Sequence, residues 1–328
     1  MRTILSAILL LCIGCSFQAT NSYNENVGID DAKAVSEMKQ YQELYDTVMR
    51  LWPVPYKELT IETTYGIAHI IYSGNEKSKP VVMLHGMNAS STMWYPNVGP
   101  LVTDYRIYAI DDLTEPGRSE LLEPIDYIED LISWYIEILD QLDIQNFILI
   151  GASKGGWLAV KLALRIPHRV EKMVLLSPLQ TFSNISPSLK FISAIRFALN
   201  PTRKTMQTAL QSMSSNSSKI DRRYIDQFLM GSQMAENSGI IFKFRLFKRK
   251  ELEILEMPVL ILIGDEDIIN KKSVVKKANK FIRGAETFII NDAGHFLSMD
   301  QTEATNNKIK EFMNSPKSAL INPIESDQ

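Results

Sequence analysis

The chain is poor in cysteine and in histidine. Its 328 residues include two cysteines, Cys12 and Cys15, and four histidines. Because residues 16–328 contain no cysteine, a disulfide within the folded part is excluded, and cysteine content neither supports nor excludes an oxidising compartment. The histidines are few enough to be weighed one by one as candidate catalytic bases.

The sequence also lacks an excess of charge of either sign. The formal net charge is −3, and 22% of the residues are charged. Because there is no basic bias, we expect no nucleic-acid partner. Hydrophobic residues make up 45% of the chain, which supports a large buried core, and the length is normal for one α/β enzyme with an insertion.

The apolar run near the N-terminus is too short to span a bilayer stably. It covers the ten residues from Ile4 to Ile13 and follows one positive charge. This pattern fits the hydrophobic region of a secretory signal peptide, which we predict over residues 1–15. The protein is therefore expected to be exported, although a start codon placed too early would give the same pattern.

Cys15 offers a possible lipid attachment point. The run Cys12-Ile13-Gly14-Cys15 resembles a bacterial lipoprotein cleavage site, with a small residue directly before the cysteine and Cys12 where Leu or Val is usual. We therefore predict lipidation of Cys15 and attachment to a membrane. Without lipidation the protein would be periplasmic or secreted.

The rest of the chain divides by composition. Residues 16–30 are rich in Ser, Asn, Thr and Gln and predict a solvated tether. A folded domain is expected over 31–315, beginning with a helix over 31–51 and a hairpin of Leu59–Thr64 with Ala68–Tyr72. The tail, 316–328, is expected to be disordered.

From Pro80 onward, short apolar runs alternate with helical patterns. Continuous apolar runs are typical of strands covered on both faces, so they predict a mostly parallel, doubly wound α/β sheet, in which sites form at the carboxyl ends of the strands. One helix is expected over 126–142, with Asp126 as N-cap and Glu129 as its capping-box partner. Further helices are expected near 273–282 and 302–313. The predicted strands are Val81–Leu84, Ile107–Ile110, Phe147–Ile150, Met173–Leu176, Val259–Ile263 and Thr287–Ile290.

One segment interrupts this alternation. Residues 179–256 show no clear strand and are rich in Ser, Met, Phe and Lys/Arg. We interpret them as a helical cap over the site. Within it, residues 240–250 are basic and aromatic, which suits contact with an anionic lipid surface; burial of the three phenylalanines inside the cap is the favoured interpretation.

Ser153 is the candidate nucleophile. It lies in Gly151-Ala152-Ser153-Lys154-Gly155, directly after the strand at 147–150 and before a helical pattern. Small residues permit a turn sharp enough to expose the serine hydroxyl, and the helix that follows directs its positive dipole end towards a developing oxyanion. This context, more than the five-residue pattern, predicts nucleophilic catalysis.

A serine nucleophile needs a base. His295 follows the last strand, where a loop can cross the top of the sheet. The other histidines fit less well: His69 lies in the hairpin, His85 orders the loop after strand 81–84, and His168 lies at the far end of the helix after Ser153. The alternative for His295 is a loop residue that caps the helix at 302.

The acid that orients the base should follow another strand. Gly264-Asp265-Glu266-Asp267 comes directly after strand 259–263. We choose Asp267, because the turn needs a few residues before a side chain faces His295. Asp265 is the second choice and Glu266 the third, and all three could instead serve only as turn residues.

An oxyanion hole requires two backbone donors. The amide of Lys154, the residue after the nucleophile, is one, and the amide of Met87 in the loop after strand 81–84 is the other. The Lys154 side chain has no predicted role and is expected to face solvent.

These ordered motifs resemble those of the α/β-hydrolase superfamily, over about residues 55–315. The stretches 93–98, 176–178 and 293–299 are similar to a bacterial carboxylesterase branch that includes the Bacillus naproxen-type esterases. The resemblance implies hydrolysis of a small-molecule ester through an acyl-enzyme on Ser153, His295 and Asp267, with no cofactor and no metal. The loop 111–119 follows the superfamily pattern only in part, which leaves the acyl and alcohol groups open.

Other functions stay open. An aspartate nucleophile, as in related dehalogenases and epoxide hydrolases, is disfavoured by Ser153. Lipase, thioesterase, C–C hydrolase and aminopeptidase activities also use serine and remain alternatives. A non-catalytic binding protein is a different class of function, and the presence of all three triad residue types in order argues against it.

Overall fold

The computed structural model describes residues 27–185, 188, 190–235 and 244–316, with side chains from residue 32. The predicted signal peptide, Cys15, most of the predicted tether and nearly all of the predicted tail lie outside the described residues, as do residues 240–243 of the basic, aromatic stretch. These expectations stay predictions.

The first described element is helix α1, Val27–Met49. It begins four residues earlier than expected, so the last part of the predicted tether is helical. The chain divides into two units at Lys39 and Gln40. In the first unit, Val35 and Met38 are exposed. In the described part of the chain no helix has both the length and the apolar character needed to cross a membrane.

In the described part of the second unit, nine strands form one sheet. The strands are β1 Lys57–Glu62, β2 Gly66–Ser73, β3 Lys79–Leu84, β4 Tyr105–Ile110, β5 Glu120–Leu121, β6 Phe147–Ala152, β7 Val170–Leu176, β8 Val259–Gly264 and β9 Ala285–Ile290. Their order is β1-β2-β4-β3-β6-β7-β8-β9, and β5 pairs with β2.

The pairing directions follow the predicted plan. The hairpin β1–β2 is antiparallel and β2 pairs antiparallel with β4 and β5. From β4 through β3, β6, β7 and β8 to β9 every pair is parallel. The carboxyl ends of these parallel strands therefore lie along one edge, where a doubly wound sheet places its site.

Helices cover both faces of the sheet. The helices after α1 in the described part of the chain are α2 Tyr95–Val98, α3 Ile128–Gln141, α4 Lys154–Arg165, α5 Phe191–Leu199, α6 Arg203–Met213, α7 Arg222–Met234, α8 Arg249–Leu252, α9 Ser273–Phe281, α10 Leu297–Asp300 and α11 Thr302–Asn314. Alternate residues of β3 enter opposite cores: Val82 packs with Trp134 and Leu158, whereas Val81 packs with the core that holds Ile309. This burial on both faces explains the continuous apolar runs.

The predicted cap of helix α3 was wrong by one residue. Tyr127, not Asp126, is the N-cap, and the Asp130 carboxylate accepts the Tyr127 backbone N–H at 3.0 Å. Glu129, the expected partner, instead pairs with Lys161 at 2.8 Å. The shift allows the buried Ile128 to open the helix against the core.

The described residues of segment 179–256 form helices α5 to α8 and a 3-10 turn at Ser217–Lys219, without a strand. The described part of this segment is therefore helical. Phe244 and Phe247 are buried against Trp157, with ring centroids 4.8 and 5.1 Å away. These two phenylalanines pack in the core and do not face a lipid surface.

Candidate active site

Ser153 lies at the turn between β6 and α4. Its backbone angles, φ 51° and ψ −114°, are strained for a residue with a side chain. The turn is held by backbone bonds: the Ser153 N–H donates to Leu176 O at 3.0 Å, and its carbonyl accepts from Gly156 and Leu179 at 3.0 Å each. The strand–turn–helix predicted from the sequence is therefore confirmed, with the serine at its apex.

Close backbone approach explains the two glycines of this motif. A Cβ on Gly155 would lie 2.1 Å from the Leu84 carbonyl oxygen, and one on Gly151 would lie 2.3 Å from the Gly155 carbonyl oxygen. No side chain fits at these distances. The glycines allow β6, α4 and the end of β3 to meet directly beneath the serine.

His295 reaches this serine from the loop after β9. Its Nε2 lies 2.9 Å from Ser153 Oγ, and its side chain is 3% exposed. The backbone N–H of His295 donates to Met213 O at 2.6 Å, so the end of helix α6 fixes the loop. His295 does not cap the helix at 302, which was its alternative role, because both of its ring nitrogens face other groups.

Asp267 completes the chain of hydrogen bonds. Its two carboxylate oxygens lie 3.1 and 3.2 Å from His295 Nδ1, and they also accept from Ile269 N, Asn270 N and Asn270 Nδ2 at 2.8 to 3.1 Å. Burial raises the pKa of this carboxyl, but the charge and hydrogen bond of His295 and the bonds from Asn270 and Ile269 lower it below its ordinary value. Asp267 is therefore ionised at neutral pH.

The two alternative acids occupy other positions. Asp265 Oδ1 accepts the backbone N–H of Ala293 at 3.1 Å, which ties β8 to the loop that carries His295. Glu266 is exposed, and its backbone N–H donates to Ala293 O at 3.0 Å. The structure thus brings Asp267 to His295 and leaves Asp265 and Glu266 in the turn.

The two residues proposed to supply the oxyanion donors, Lys154 and Met87, lie next to the serine in the chain and after a residue close to it, respectively. Lys154 N–H opens helix α4, where the first amides have no intrahelical acceptor. Met87 follows Gly86, whose Cα lies so near the serine that a Cβ there would be 3.6 Å from Ser153 Cβ. In the described part of the chain, neither amide donates to a protein group.

The remaining histidines have structural positions. As predicted, His85 orders its loop: its Nε2 accepts Asp112 N–H at 2.8 Å and its Nδ1 donates to Gly86 O at 2.9 Å. His69 is buried and bonds to carboxylates on both sides. His168 is exposed in the 3-10 turn after α4.

The expectation that the Lys154 side chain faces solvent was wrong. The side chain is 3% exposed, and its Nζ donates to Glu115 at 2.5 Å, Thr114 at 2.9 Å and Asp112 at 3.3 Å. Burial lowers the pKa of this amine, but the charges of Asp112 and Glu115 raise it above its ordinary value, so it stays protonated. No sequence spacing indicates this cluster, because its acids lie about forty positions earlier.

Sequence reasoning also missed Asp300. Its buried carboxylate accepts from Gly294 N at 2.8 Å and from Ser215 N at 3.1 Å, and it bonds to Ser214 Oγ. The first contact is in the loop that carries His295, and the others are in the segment after α6. One carboxylate therefore joins the cap to the loop of the histidine.

An apolar pocket lies beside the same loop. Phe296, the residue after His295, contributes to it together with residues of the cap. The pocket is small, and no polar atom contributes surface to its lining. The lining residues are Met206, Leu210, Ile220, Tyr224, Ile225, Phe228 and Phe296. Among the described residues no group of three or more His, Cys, Asp or Glu side chains could hold a metal ion.

Comparisons with known proteins agree with this geometry. The family model for the alpha/beta hydrolase fold matches residues 79–302. The uncharacterized carboxylesterase nap of Bacillus subtilis is 31% identical over 286 residues, which cover 84% of this chain and 93% of that protein. Carboxylesterase YbfK of the same species is 26% identical over 288 residues, covering 85% and 95%.

A solved structure gives the same result. The crystal structure of naproxen esterase (carboxylesterase NP) from Bacillus subtilis is similar with a TM-score of 0.77 at 30% identity, and the match covers 84% of this chain and 97% of that one. The predicted fold and the predicted resemblance to Bacillus carboxylesterases are both confirmed. The chain therefore belongs to the α/β-hydrolase family, as a carboxylesterase-like enzyme.

Proposed function

We propose that this enzyme hydrolyses carboxylic esters through an acyl-enzyme on Ser153, with His295 as general base and acid and Asp267 as the acid that orients it. The observation that carries the proposal is the continuous hydrogen-bond chain from Ser153 Oγ through both ring nitrogens of His295 to Asp267. With Nδ1–H donating to an ionised carboxylate, Nε2 is free to accept the serine proton.

The reaction follows in two stages. In the first, Ser153 Oγ attacks the ester carbonyl carbon while its proton passes to His295 Nε2. The tetrahedral intermediate then collapses, the C–O bond to the alcohol breaks, and the alcohol oxygen takes that proton. In the second stage water gives a proton to Nε2 and attacks the acyl carbon, and Ser153 leaves with the proton returned to it.

The amides of Met87 and Lys154 are proposed to bind the negative charge of both tetrahedral intermediates. Each is an unused donor beside the serine, and one starts a helix whose dipole favours negative charge there. Because both donors are backbone groups, substitution of their side chains does not remove them.

The acyl or alcohol group is proposed to be apolar. The support is the wholly apolar pocket that includes Phe296, directly after His295, and Phe228 of the cap, whose rings meet edge to face at 6.4 Å. Hydrolysis of p-nitrophenyl esters of increasing acyl length measures this preference, because pocket depth sets discrimination between chain lengths. Emulsified triglycerides test the lipase alternative: a jump in rate at the emulsion interface would favour it.

Labelling by a fluorophosphonate probe tests the nucleophile. The wild-type protein should be labelled and should hydrolyse p-nitrophenyl esters, and Ser153→Ala should lose both. Ser133→Ala, which removes an exposed hydroxyl on helix α3, is the matched control and should keep both. A wild type that resists the probe and hydrolyses no ester would instead support a non-catalytic binding protein.

We also propose export, with a lipid on Cys15 as the membrane anchor. The support is the apolar run that precedes this cysteine in the sequence. Expression of the full chain in a bacterium that processes lipoproteins should place the enzyme in the membrane fraction, and Cys15→Ala should move it to the soluble fraction. Equal distribution of the two proteins would contradict lipidation at this site.

A further inference from the structure

One buried carboxylate joins the two halves of the proposed oxyanion hole. Glu115 Oε1 lies 2.5 Å from Lys154 Nζ, and Glu115 Oε2 accepts the backbone N–H of Asn88 at 2.6 Å. Lys154 follows the nucleophile, and Asn88 follows Met87. Glu115 therefore connects the side chain of Lys154, whose own amide is one proposed oxyanion donor, to Asn88, the residue after the other donor.

Loop 111–115, which contains Glu115, also holds the beginning of segment 85–88, which carries Met87. The backbone N–H of Asp112 donates to His85 Nε2 at 2.8 Å, and His85 Nδ1 bonds to Gly86 O at 2.9 Å. Segment 85–88 is thus tied to loop 111–115 before and after Met87. Asn88, which makes the second tie, has a positive φ of 54°.

In this cluster one buried ammonium faces two buried carboxylates. The Lys154 and Glu115 side chains are 3% and 8% exposed, and Asp112 adds a second buried carboxylate against the same ammonium. Asp112 also accepts from Thr114 and from the Tyr135 hydroxyl at 2.8 Å or less. Removal of the ammonium would leave two buried carboxylates without a cation, which is costly.

We propose that the side chains of Glu115 and Lys154 are positioning residues that hold the Met87 amide at the distance from Ser153 needed to bind the oxyanion. The inference rests on the proposed function. The two side chains act entirely through the backbone of segment 85–88. The ammonium is not itself a donor to the oxyanion, because its Nζ already faces three protein acceptors. Charge-assisted hydrogen bonds, the strongest available to side chains, suit a site where small displacements of a donor reduce the rate.

Three variants distinguish the effect of side-chain charge from the effect of side-chain length. Lys154→Met removes the cation, and Glu115→Gln removes one anion. Loss of one oxyanion donor costs about 10²–10³ in kcat, so displacement of the donor should lower kcat by roughly 10- to 100-fold, with KM changed by less than about threefold. Glu115→Asp keeps the charge but is one methylene too short to reach both Lys154 and Asn88, and it should lower kcat in the same way.

The double variant Lys154→Met/Glu115→Gln gives a sharper result. It removes one charge of each sign, and the Gln oxygen can still accept the Asn88 N–H. Because the two side chains act as a unit, their effects should not add: kcat of the double variant should exceed the value that additive losses predict, and should exceed that of Lys154→Met. Additive losses would contradict the coupling.

The Ki of a trifluoromethyl ketone measures binding in the oxyanion hole, and a general loss of protein stability would not change it. This ketone forms a hemiketal oxyanion with the active-site serine, whereas the matched methyl ketone binds only as a ground-state ligand. Weakening of the oxyanion hole should raise Ki for the trifluoromethyl ketone by about the factor by which kcat/KM falls, and should leave Ki for the methyl ketone unchanged. Lys161→Met is the control and should change neither: Lys161 lies on the same helix as Lys154, and its ammonium pairs with Glu129 of helix α3.

The outcomes distinguish the two proposals. If folded Glu115→Gln and Glu115→Asp proteins keep wild-type kcat and wild-type Ki for the trifluoromethyl ketone, the positioning role is overturned while the proposed function stands. Should Lys154→Met fail to fold, Glu115→Asp decides, because it keeps the number and sign of the buried charges. A wild type that hydrolyses no ester and binds no trifluoromethyl ketone would overturn the proposed function, and this inference with it.

Discussion

His295 Nε2 lies 2.9 Å from Ser153 Oγ, although 142 positions separate the two residues in the chain. Ser153 follows the parallel strand β6, His295 follows β9, and Asp267 follows β8. Because the carboxyl ends of parallel strands share one edge, the sheet itself gathers these three loops. The precise contact then depends on the bonds that hold each loop.

Replacement of Asp267 by asparagine should remove most of the activity. The amide cannot hold His295 in the tautomer that accepts the serine proton, and in a comparable triad this change costs about 10⁴ in kcat. Asp265→Asn is the matched control, because an amide oxygen can still accept the Ala293 N–H. Steady-state kinetics on a p-nitrophenyl ester measures kcat of both variants. A greater loss of kcat in Asp265→Asn would reverse the assignment of the acid.

Asp300→Asn should lower the activity, although the substitution changes none of the reacting groups. The amide cannot accept from Gly294 N, Ser215 N and Ser214 Oγ as the carboxylate does, so the loop of His295 loses support. We expect kcat to fall by roughly 10- to 100-fold and the free energy of unfolding to fall by about 1–3 kcal/mol. Glu303→Gln, exposed on the next helix, is the control; equal kcat in both variants would contradict this role.

Gly155→Ala should destabilise the fold strongly. The new Cβ would lie 2.1 Å from Leu84 O and 2.5 Å from His85 O, and these are backbone atoms that no rotamer change can move. We expect a loss of about 3 kcal/mol or more in urea denaturation. Gly99→Ala, where φ is −50° and the nearest atom is a Pro53 side-chain carbon at 3.3 Å, should cost much less. Similar midpoints for the two variants would contradict the packing argument.

The stabilising effect of His69 should depend on pH. Burial lowers the pKa of this imidazole, but hydrogen bonds to Asp111 and Glu58 and their charges raise it above its ordinary value. A raised pKa in the folded state means that the charged His69 stabilises fully below its unfolded pKa of about 6.5, and that this contribution is lost as pH rises through the folded pKa.

Denaturation of His69→Gln at several pH values measures this contribution. The variant should be less stable than wild type by about 1–3 kcal/mol at pH 6, and the difference should narrow as pH rises to 9. His168→Gln, at an exposed site, is the control and should show no such trend. A gap that stays constant with pH would mean that His69 contributes by packing alone.

The parallel strands were predictable because their residues are apolar on both faces. The predicted strand ends were less accurate: β4 begins two residues earlier, at Tyr105, and β9 begins at Ala285, because the first residues of each include a charged side chain. Strand β5 was not predicted, since its two residues, Glu120 and Leu121, are exposed and carry no pattern. The hydrophobic pattern of a sequence indicates which residues are buried, so it indicates little about strands that are only partly buried.

The chemistry of the site was predictable to the level of residue types and order. The choice of Asp267 over Asp265 followed from a rough argument on turn length, and the structure supplies the distances that support it. The burial of Lys154 and the role of Asp300 were not accessible, because each depends on a partner whose position along the chain has no fixed spacing from it.

The sequence by itself determined the turn that presents Ser153, because a strand, two glycines and a helix in close succession leave the backbone little choice. It also determined the sheet, because apolar runs of that length must be covered on both faces. Tertiary structure alone decided which carboxylate faces His295, and that Glu115 links Lys154 to the amide of Asn88. Such pairings depend on the distance between loops that fold independently of each other, and that distance is set only when the helices pack onto the sheet.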